Sequence, residues 1–321
     1  MNLDLNNPPT TLLLVGSVVV LLGMATGIGQ LLKRQADPRF NLAVIDQFNL
    51  RIRAWWLMCS VLAVAFMMGP SATVFLFGGL SFWALREFIT LTPTRHSDHR
   101  PLALVFLFTP VQYVLVGMDK YSLYSIVIPV YAFLTIPILM AIAGDYKRYL
   151  ERCAKIFSGL MICVYCLSYA PALLLLPVEE PKSLLLFFIL VVTVGDALHY
   201  AAEQFVGRHV IAPAISANRT WEGFLVSTGC ATMFGAALWW ATPFEEVWQA
   251  AAMSFVITTM GFFGGLTMSA IKRDRGVQDY GTLVTGHGGV LDRIDSICFA
   301  APIFFHLTRA IVNAAEVTAA G

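Results

Sequence analysis

Ser183 to Glu203 reads SLLLFFILVVTVGDALHYAAE, an apolar run with charge at its end. It is apolar for most of its length, and a helix of roughly 20 such residues crosses a bilayer. Asp196, His199 and Glu203 recur within it at spacings of three and four, so on a helix they share one face. A carboxylate inside an apolar span points to function by default. The competing reading is a structural partner for an arginine on a neighbouring helix.

The rest of the chain extends the same pattern. Of 321 residues, 58% are hydrophobic and 13% charged, against about 25% charged in an average soluble domain. The fold class expected is an all-α polytopic membrane protein. Runs suited to spanning lie near 11–32, 54–69, 71–90, 101–118, 122–143, 157–176, 183–203, 223–242, 249–271 and 296–314, about ten in all. The N-terminus MNLDLNNPPTT has no basic segment, so the first run is expected to stay as a membrane helix. The six cysteines show neither disulfide nor zinc spacing, and Cys163-x-x-Cys166 lies inside an apolar run as small buried hydrophobes do.

Basic residues orient the spans. Of the 21 Lys and Arg, all but Lys120, Lys182 and Arg309 fall in connections on one side, which the positive-inside rule assigns to the cytoplasm. Both termini are then expected outside. Trp239, Trp240 and Trp248 flank an outer turn as interfacial aromatics do. The chain reads as one continuous membrane domain, with N-terminal helices over 1–182 and a more polar catalytic half over 183–321.

Two charged constellations fall on the cytoplasmic side. Loop 195–223 follows Asp196 with Gly207, Arg208, Pro213, Ser216, Arg219 and Thr220, and Trp221-Glu222-Gly223 starts the next helix. Amides at such a start suit phosphate oxygens. The second segment, 269–295, reads SAIKRDRGVQDYGTLVTGHGGVLDRID. Lys272 and Arg273 alone are ordinary flanking charges. Asp292-Arg293-Ile294-Asp295 is not, because three charges in four residues do not help insertion of the apolar run that follows. Asp292 and Asp295, three apart, can face one way and share a divalent cation. Oxygen ligands without clustered Cys or His favour Mg2+ over zinc. Gly286, Gly288 and Gly289 let backbone approach a ligand, and His287 between them suits either a phosphate contact or a structural role.

These residues resemble the signature of the phosphatidate cytidylyltransferase family, also called CDP-diacylglycerol synthases. That family writes Ser-x-x-Lys-Arg, Lys-Asp, His-Gly-Gly and Asp-Arg-x-Asp. Here the elements stand as Ser269-x-x-Lys272-Arg273, Gln278-Asp279, His287-Gly288-Gly289 and Asp292-Arg293-x-Asp295. Asp196, Tyr200, Gly207, Pro213, Ser216, Thr220 and Glu222-Gly223 extend the likeness upstream. The chain departs from the family pattern at Gln278, which replaces a Lys, and at Gly265, which replaces the Asp of Gly-Asp-Leu. It departs again at Glu203-Gln204, in place of a Gly-Lys or Gly-Arg pair, and at Ala217 and Arg219, in place of Pro and Lys. It therefore looks like a diverged branch.

The resemblance implies Mg2+-dependent transfer of CMP from CTP to phosphatidic acid, giving CDP-diacylglycerol and pyrophosphate. On that reading Asp279, Asp292, Asp295, Lys272 and Arg273 are catalytic. Ser269, Arg293, His287, Gly288, Gly289, Ser216, Arg219 and Thr220 bind substrate. Asp196, Asp279, Asp292 and Asp295 hold one metal ion, with a second left open. The implied partners are CTP, a lipid phosphate and the bilayer, with a homodimer open and nucleic acid not expected. The implied location is the bacterial cytoplasmic membrane. Three alternatives stand beside it: a cytidylyltransferase for a different lipid phosphate, a transporter, and an inactive paralogue.

Overall fold

The computed structural model describes residues 10–34, 56–91, 95–281 and 288–320. Gly286 and His287 lie outside them. The described chain forms ten principal helical segments: α1 (Thr10–Arg34), α2 (Trp56–Met68), α3 (Pro70–Thr90), α4 (His99–Gly117), α5 (Tyr121–Ile142), α6 (Tyr149–Leu175), α7 (Pro181–Phe205), α8 (Trp221–Ala237), α9 (Val247–Arg275) and α10 (Leu291–Ala320). There is no strand among the described residues, only a bridge between Val210 and Thr220.

Seven of these helices are long and apolar enough to cross a membrane: α3 to α7, α9 and the Leu291–Ala314 part of α10. The expected runs near 11–32, 54–69 and 223–242 form α1, α2 and α8. In α1 the compact apolar stretch is Leu13–Met24, and α2 stops at Met68. Gly69, at φ 111°, and Pro70 turn the chain directly into α3. Helix α8 ends before Trp239–Ala241, which tightens into a 3-10 turn. Two helices start earlier than hydropathy alone marks. Helix α6 begins with the amphipathic turn Tyr149–Lys155, and α10 begins at Leu291, so Asp292 and Asp295 belong to its first turns. Internal prolines recur, and π-helical stretches at Val127–Ala132 and Met161–Cys166 precede Pro137 and Pro171. Such stretches take up the register that a proline disturbs.

Helices α7, α8, α9 and α10 pack in chain order, and α10 also packs on α6 and α3. Aromatic pairs mark both kinds of packing: Phe188 of α7 stacks on Phe304 of α10 at 5.2 Å within the first group, and Tyr169 of α6 meets Phe305 at 5.1 Å across the joint, all four buried. Small residues set the closest crossings. A Cβ at Gly195 would lie 2.5 Å from the Thr258 methyl, so α7 and α9 can approach only with glycine there. Met67, Phe75, Phe205 and Met233 point outward and are mostly exposed. That is the expected exterior of a protein whose solvent is lipid.

Candidate active site

The two constellations meet at one end of the α7–α10 bundle. Arg273, at the end of α9, donates through Nε to the Ile215 carbonyl at 3.2 Å, tying the helix to the loop ahead of α8. Arg219 leaves that loop and donates through Nη1 to the Phe262 carbonyl at 3.3 Å. Its guanidinium lies over the Phe262 ring, 4.7 Å from the centroid.

Local rules build the loop. Thr220 caps α8 by accepting a hydrogen bond from the Gly223 amide at 3.2 Å. The Glu222 carboxylate accepts from the His209 amide at 3.0 Å, from the His209 ring, and from the Arg208 amide at 3.2 Å. These bonds, the His209 amide first, hold Glu222 well below the usual carboxylate range, at about 2. The Ile211 amide donates to the Arg219 carbonyl at 2.8 Å, closing the turn that carries Ser216. Ser216 sits half-buried beside Ile215, and Thr220 spends its hydroxyl on the cap.

Asp292 organises the other side. Its Oδ2 accepts from the Tyr280 amide at 2.8 Å and the Gly289 amide at 2.9 Å, and its Oδ1 accepts from Lys272 Nζ at 3.0 Å. Lys272 also lies over the Tyr280 ring, 5.6 Å away. Tyr280 is buried, and its hydroxyl donates to the Met268 carbonyl at 2.8 Å. Burial first, and the Asp292 charge second, push the Tyr280 phenol well above its ordinary range, so it stays a neutral donor. Gly288 adopts φ 79°. A Cβ there would lie 2.8 Å from Asp292 Oδ2 and 3.1 Å from Asp279 Oδ1, which places the Asp279 and Asp292 carboxylates together around bare backbone. Gly276, at φ 68°, ends α9 and starts this connection.

One turn further along α10, Ser296 joins two more carboxylates. Its Oγ donates to Asp196 Oδ1 at 2.8 Å and its amide donates to Asp295 Oδ1 at 2.8 Å. The Asp295 charge acts on Asp196, the Asp292 charge acts on Asp295, and both Asp196 and Asp295 feel the Arg219 cation. Arg293 acts on Asp196 as well. Ser269 donates back to the Gly265 carbonyl at 2.7 Å within α9. His199, from the same face of α7 as Asp196, is buried and bonds Ser227 of α8, edge-on to Phe262.

The expected metal ligands thus fall into two pairs, Asp279 with Asp292 and Asp196 with Asp295. Among the described residues no three His, Cys, Asp or Glu side chains converge as a ready metal site. Mg2+ does not require that, since it is usually held by one or two carboxylates together with substrate phosphates and water. The Asp196–Asp295 pair fits such a demand. Asp292 already spends both oxygens on two amides and Lys272, while Asp279 is exposed beside it.

Glu87 belongs to this site and falls outside the sequence expectations. It is buried in α3, at 6% exposure. Its Oε1 accepts from the Val290 amide at 3.0 Å and from Trp83 Nε1 at 3.2 Å, and its Oε2 accepts from the Leu291 amide at 2.9 Å. A carboxylate here satisfies free amides at the start of α10. It also stands between the ends of the 281–289 connection. A Cβ at Gly281 would lie 2.6 Å from Oε1, and one at Gly289 would collide with Oε2. The signal was present, since Glu87 is a carboxylate within an apolar run, as Asp196 is. Beside Arg86 at the end of that run, it reads as a flanking charge. An apolar groove of about 720 Å3 between α2 and α3, lined by Met68, Phe75, Leu76 and Gly79, ends at Trp83 and Val290, two of the three residues bonded to Glu87.

Comparison with known proteins places the chain. The cytidylyltransferase family matches residues 49–311. "Uncharacterized protein YnbB" of Escherichia coli (strain K12) is 35% identical over 304 residues, covering 92% of this chain and 97% of that protein. A phosphatidate cytidylyltransferase of Mycobacterium leprae (strain TN) is 35% identical over 169 residues, 51% of this chain and 52% of that protein. One of Staphylococcus aureus (strain COL) is 34% identical over 126 residues, 39% of this chain and 48% of that protein. The match to these two enzymes spans about half of their length. The chain belongs to the cytidylyltransferase family. It is a nucleotidyltransferase and, with seven helices among the described residues long and apolar enough to cross a bilayer, an integral membrane protein.

Proposed function

We propose that this protein transfers CMP from CTP to phosphatidic acid, releasing pyrophosphate and forming CDP-diacylglycerol. The observation that carries this reading is the meeting of two segments distant in sequence. Lys272, Arg273 and Arg219 converge there with Asp196, Asp279, Asp292 and Asp295 at one end of an apolar bundle. Cations beside carboxylates suit a substrate that brings both phosphates and a divalent metal. The relatives named phosphatidate cytidylyltransferase support the acceptor. The apolar groove ending at Trp83 and Val290 offers surface of the kind an acyl chain requires.

In the reaction, an oxygen of the lipid phosphate attacks the α-phosphorus of CTP. The bond from that phosphorus to the bridging oxygen of the β-phosphate breaks, and pyrophosphate leaves with the electron pair. The nucleophile is already anionic at neutral pH, so the work of the protein is positioning and charge neutralisation. Arg219 and Arg273 would bind phosphate oxygens on one side, and Lys272 and Arg293 on the other. Ser269, Ser216, Thr220, His287 and the backbone at Gly288 and Gly289 would shape the pocket around them. Asp196 and Asp295 would hold Mg2+, with Asp279 and Asp292 as the nearby alternative pair. When bound, the metal offsets charge developing on the leaving pyrophosphate.

Counting α1, α2 and α8 with the seven long helices gives ten spans, with both termini outside and the site on the cytoplasmic face, where CTP is found. One arrangement supports one-sidedness: Lys155, in the first turns of α6, lines the same small cavity as Asp274 and Arg275 at the end of α9. The expected location is the cytoplasmic membrane of a bacterium. The test is purified protein with labelled CTP, Mg2+ and a panel of lipid phosphates, reading lipid product and pyrophosphate together. Phosphatidic acid as the best acceptor supports the proposal, and no labelled lipid from any acceptor defeats it.

A further inference from the structure

Glu203, Arg219 and Gly265 are three of the departures from the family pattern, and they lie in three different segments. In the fold they touch. Gly265 stands one turn along α9 from Phe262, on which Arg219 rests. A Cβ built at Gly265 would lie 2.5 Å from Arg219 Nη2, so the guanidinium end rests where a side chain at 265 would start and would have to swing aside for one. On the other flank, Glu203 Oε1 lies 4.0 Å from Arg219 Nε. Glu203 is itself fixed by glycines: a Cβ at Gly223 would lie 3.0 Å from its Cγ, and one at Gly207 would lie 2.6 Å from its carbonyl oxygen. Its Oε1 is shielded from solvent and accepts no hydrogen bond from a described residue. Arg219 is the cation that this carboxylate faces. A buried carboxylate persists only when something compensates its charge.

We infer that Glu203, Arg219 and Gly265 form one unit, in which Glu203 is the positioning residue that holds Arg219 for the phosphate. The carboxylate of Glu203 stands on one flank of the cation, and bare backbone at Gly265 stands on the other. The arginine fills the space beside that backbone, so the site keeps a paired cation. Nε faces Glu203 and Nη1 is bonded to the Phe262 carbonyl, which leaves Nη2, beside Gly265, as the nitrogen directed to an anion. A guanidinium held by three neighbours presents a fixed edge that a lysine ammonium cannot. The inference rests on the proposed role of Arg219 as a phosphate ligand.

A rescue cycle tests it in the full-length protein in detergent. Gly265→Asp alone drives a carboxylate into the Arg219 fork, and Arg219→Lys alone leaves Glu203 without its reach. Each is expected to weaken CTP binding by calorimetry, and to raise KM for CTP, by about tenfold. Together they restore a short ammonium opposite a carboxylate at 265, and the double variant is expected within about threefold of the unaltered protein. Glu203→Gln should raise KM for CTP more than it lowers kcat, a split that simple loss of fold would not give. The same cycle is read in melting temperature, where the double variant should regain what the singles lose. Losses that add in both CTP affinity and melting overturn the inference. A protein that binds no CTP and makes no lipid product defeats the proposed function, and the melting cycle then decides this inference by itself.

Discussion

Replacing Glu87 with Gln removes a charge and one acceptor from a carboxylate that takes three hydrogen bonds. A glutamine keeps one oxygen for a backbone amide of Val290 or Leu291 and turns an NH2 group toward the other. A buried donor left facing another donor costs about 1–3 kcal/mol. Because the loss falls on the Val290 and Leu291 amides, it acts first on the balance between a held and a released start of α10. At about 1.4 kcal/mol per tenfold, that balance moves by about 5- to 150-fold. Turnover should therefore fall by about tenfold or more, while the melting temperature of the bundle drops by only a few degrees. The assay is CTP-dependent lipid product per folded molecule, with thermal melting in the same detergent. Gly289→Ala should copy the effect, because its methyl collides with Glu87 Oε2. Glu87→Asp, one carbon shorter, should relieve Gly289→Ala in part. Full turnover and unaltered melting in Glu87→Gln would refute the clamp.

Other expectations follow from the same geometry. Asp196→Asn and Asp295→Asn should each abolish Mg2+-dependent turnover with little change in melting, read by titrating Mg2+ against product. Asp292→Asn should abolish turnover and also lower the melting temperature, because an amide cannot accept from Tyr280, Gly289 and Lys272 together. Full activity in that variant would remove Asp292 from the site. Gly288→Ala, at φ 79° and with its methyl 2.8 Å from Asp292 Oδ2, should cost about 1–2 kcal/mol in melting studies and most of the activity. The Glu222 pKa lies at about 2, below its ordinary 4.5. Its bonds to the His209 amide and ring and the Arg208 amide therefore stabilise the fold above about pH 4.5, and that contribution is lost as pH falls toward 2. Glu222→Gln should lower the melting temperature at pH 7, and the gap to the unaltered protein should narrow at pH 3.

The sequence made most of the bundle legible because lipid enforces one rule, a long apolar helix, at every crossing. It made Asp292 and Asp295 legible because their charges stand in conspicuous places. Their setting was less visible. Hydropathy starts the last helix near 296, since charges depress the signal over the turn that carries them, whereas backbone hydrogen bonding starts it at Leu291. Glu87 escaped because its partners, Val290 and Leu291, lie some 200 positions away in the chain, and no local spacing encodes such a contact. Gly265, Arg219 and Glu203 stand apart in sequence and look like separate losses. Only packing shows that the space left by one holds the side chain of another.

The Glu87 clamp has an evolutionary consequence. A chimera that joined a foreign N-terminal half to residues 183–321 would keep the recognisable signature intact. It would nevertheless leave the first amides of the last helix facing whatever residue the donor sets at position 87. Exchange of halves between relatives is therefore open only to donors that bring a carboxylate to that turn, which couples the two halves through a single heritable position.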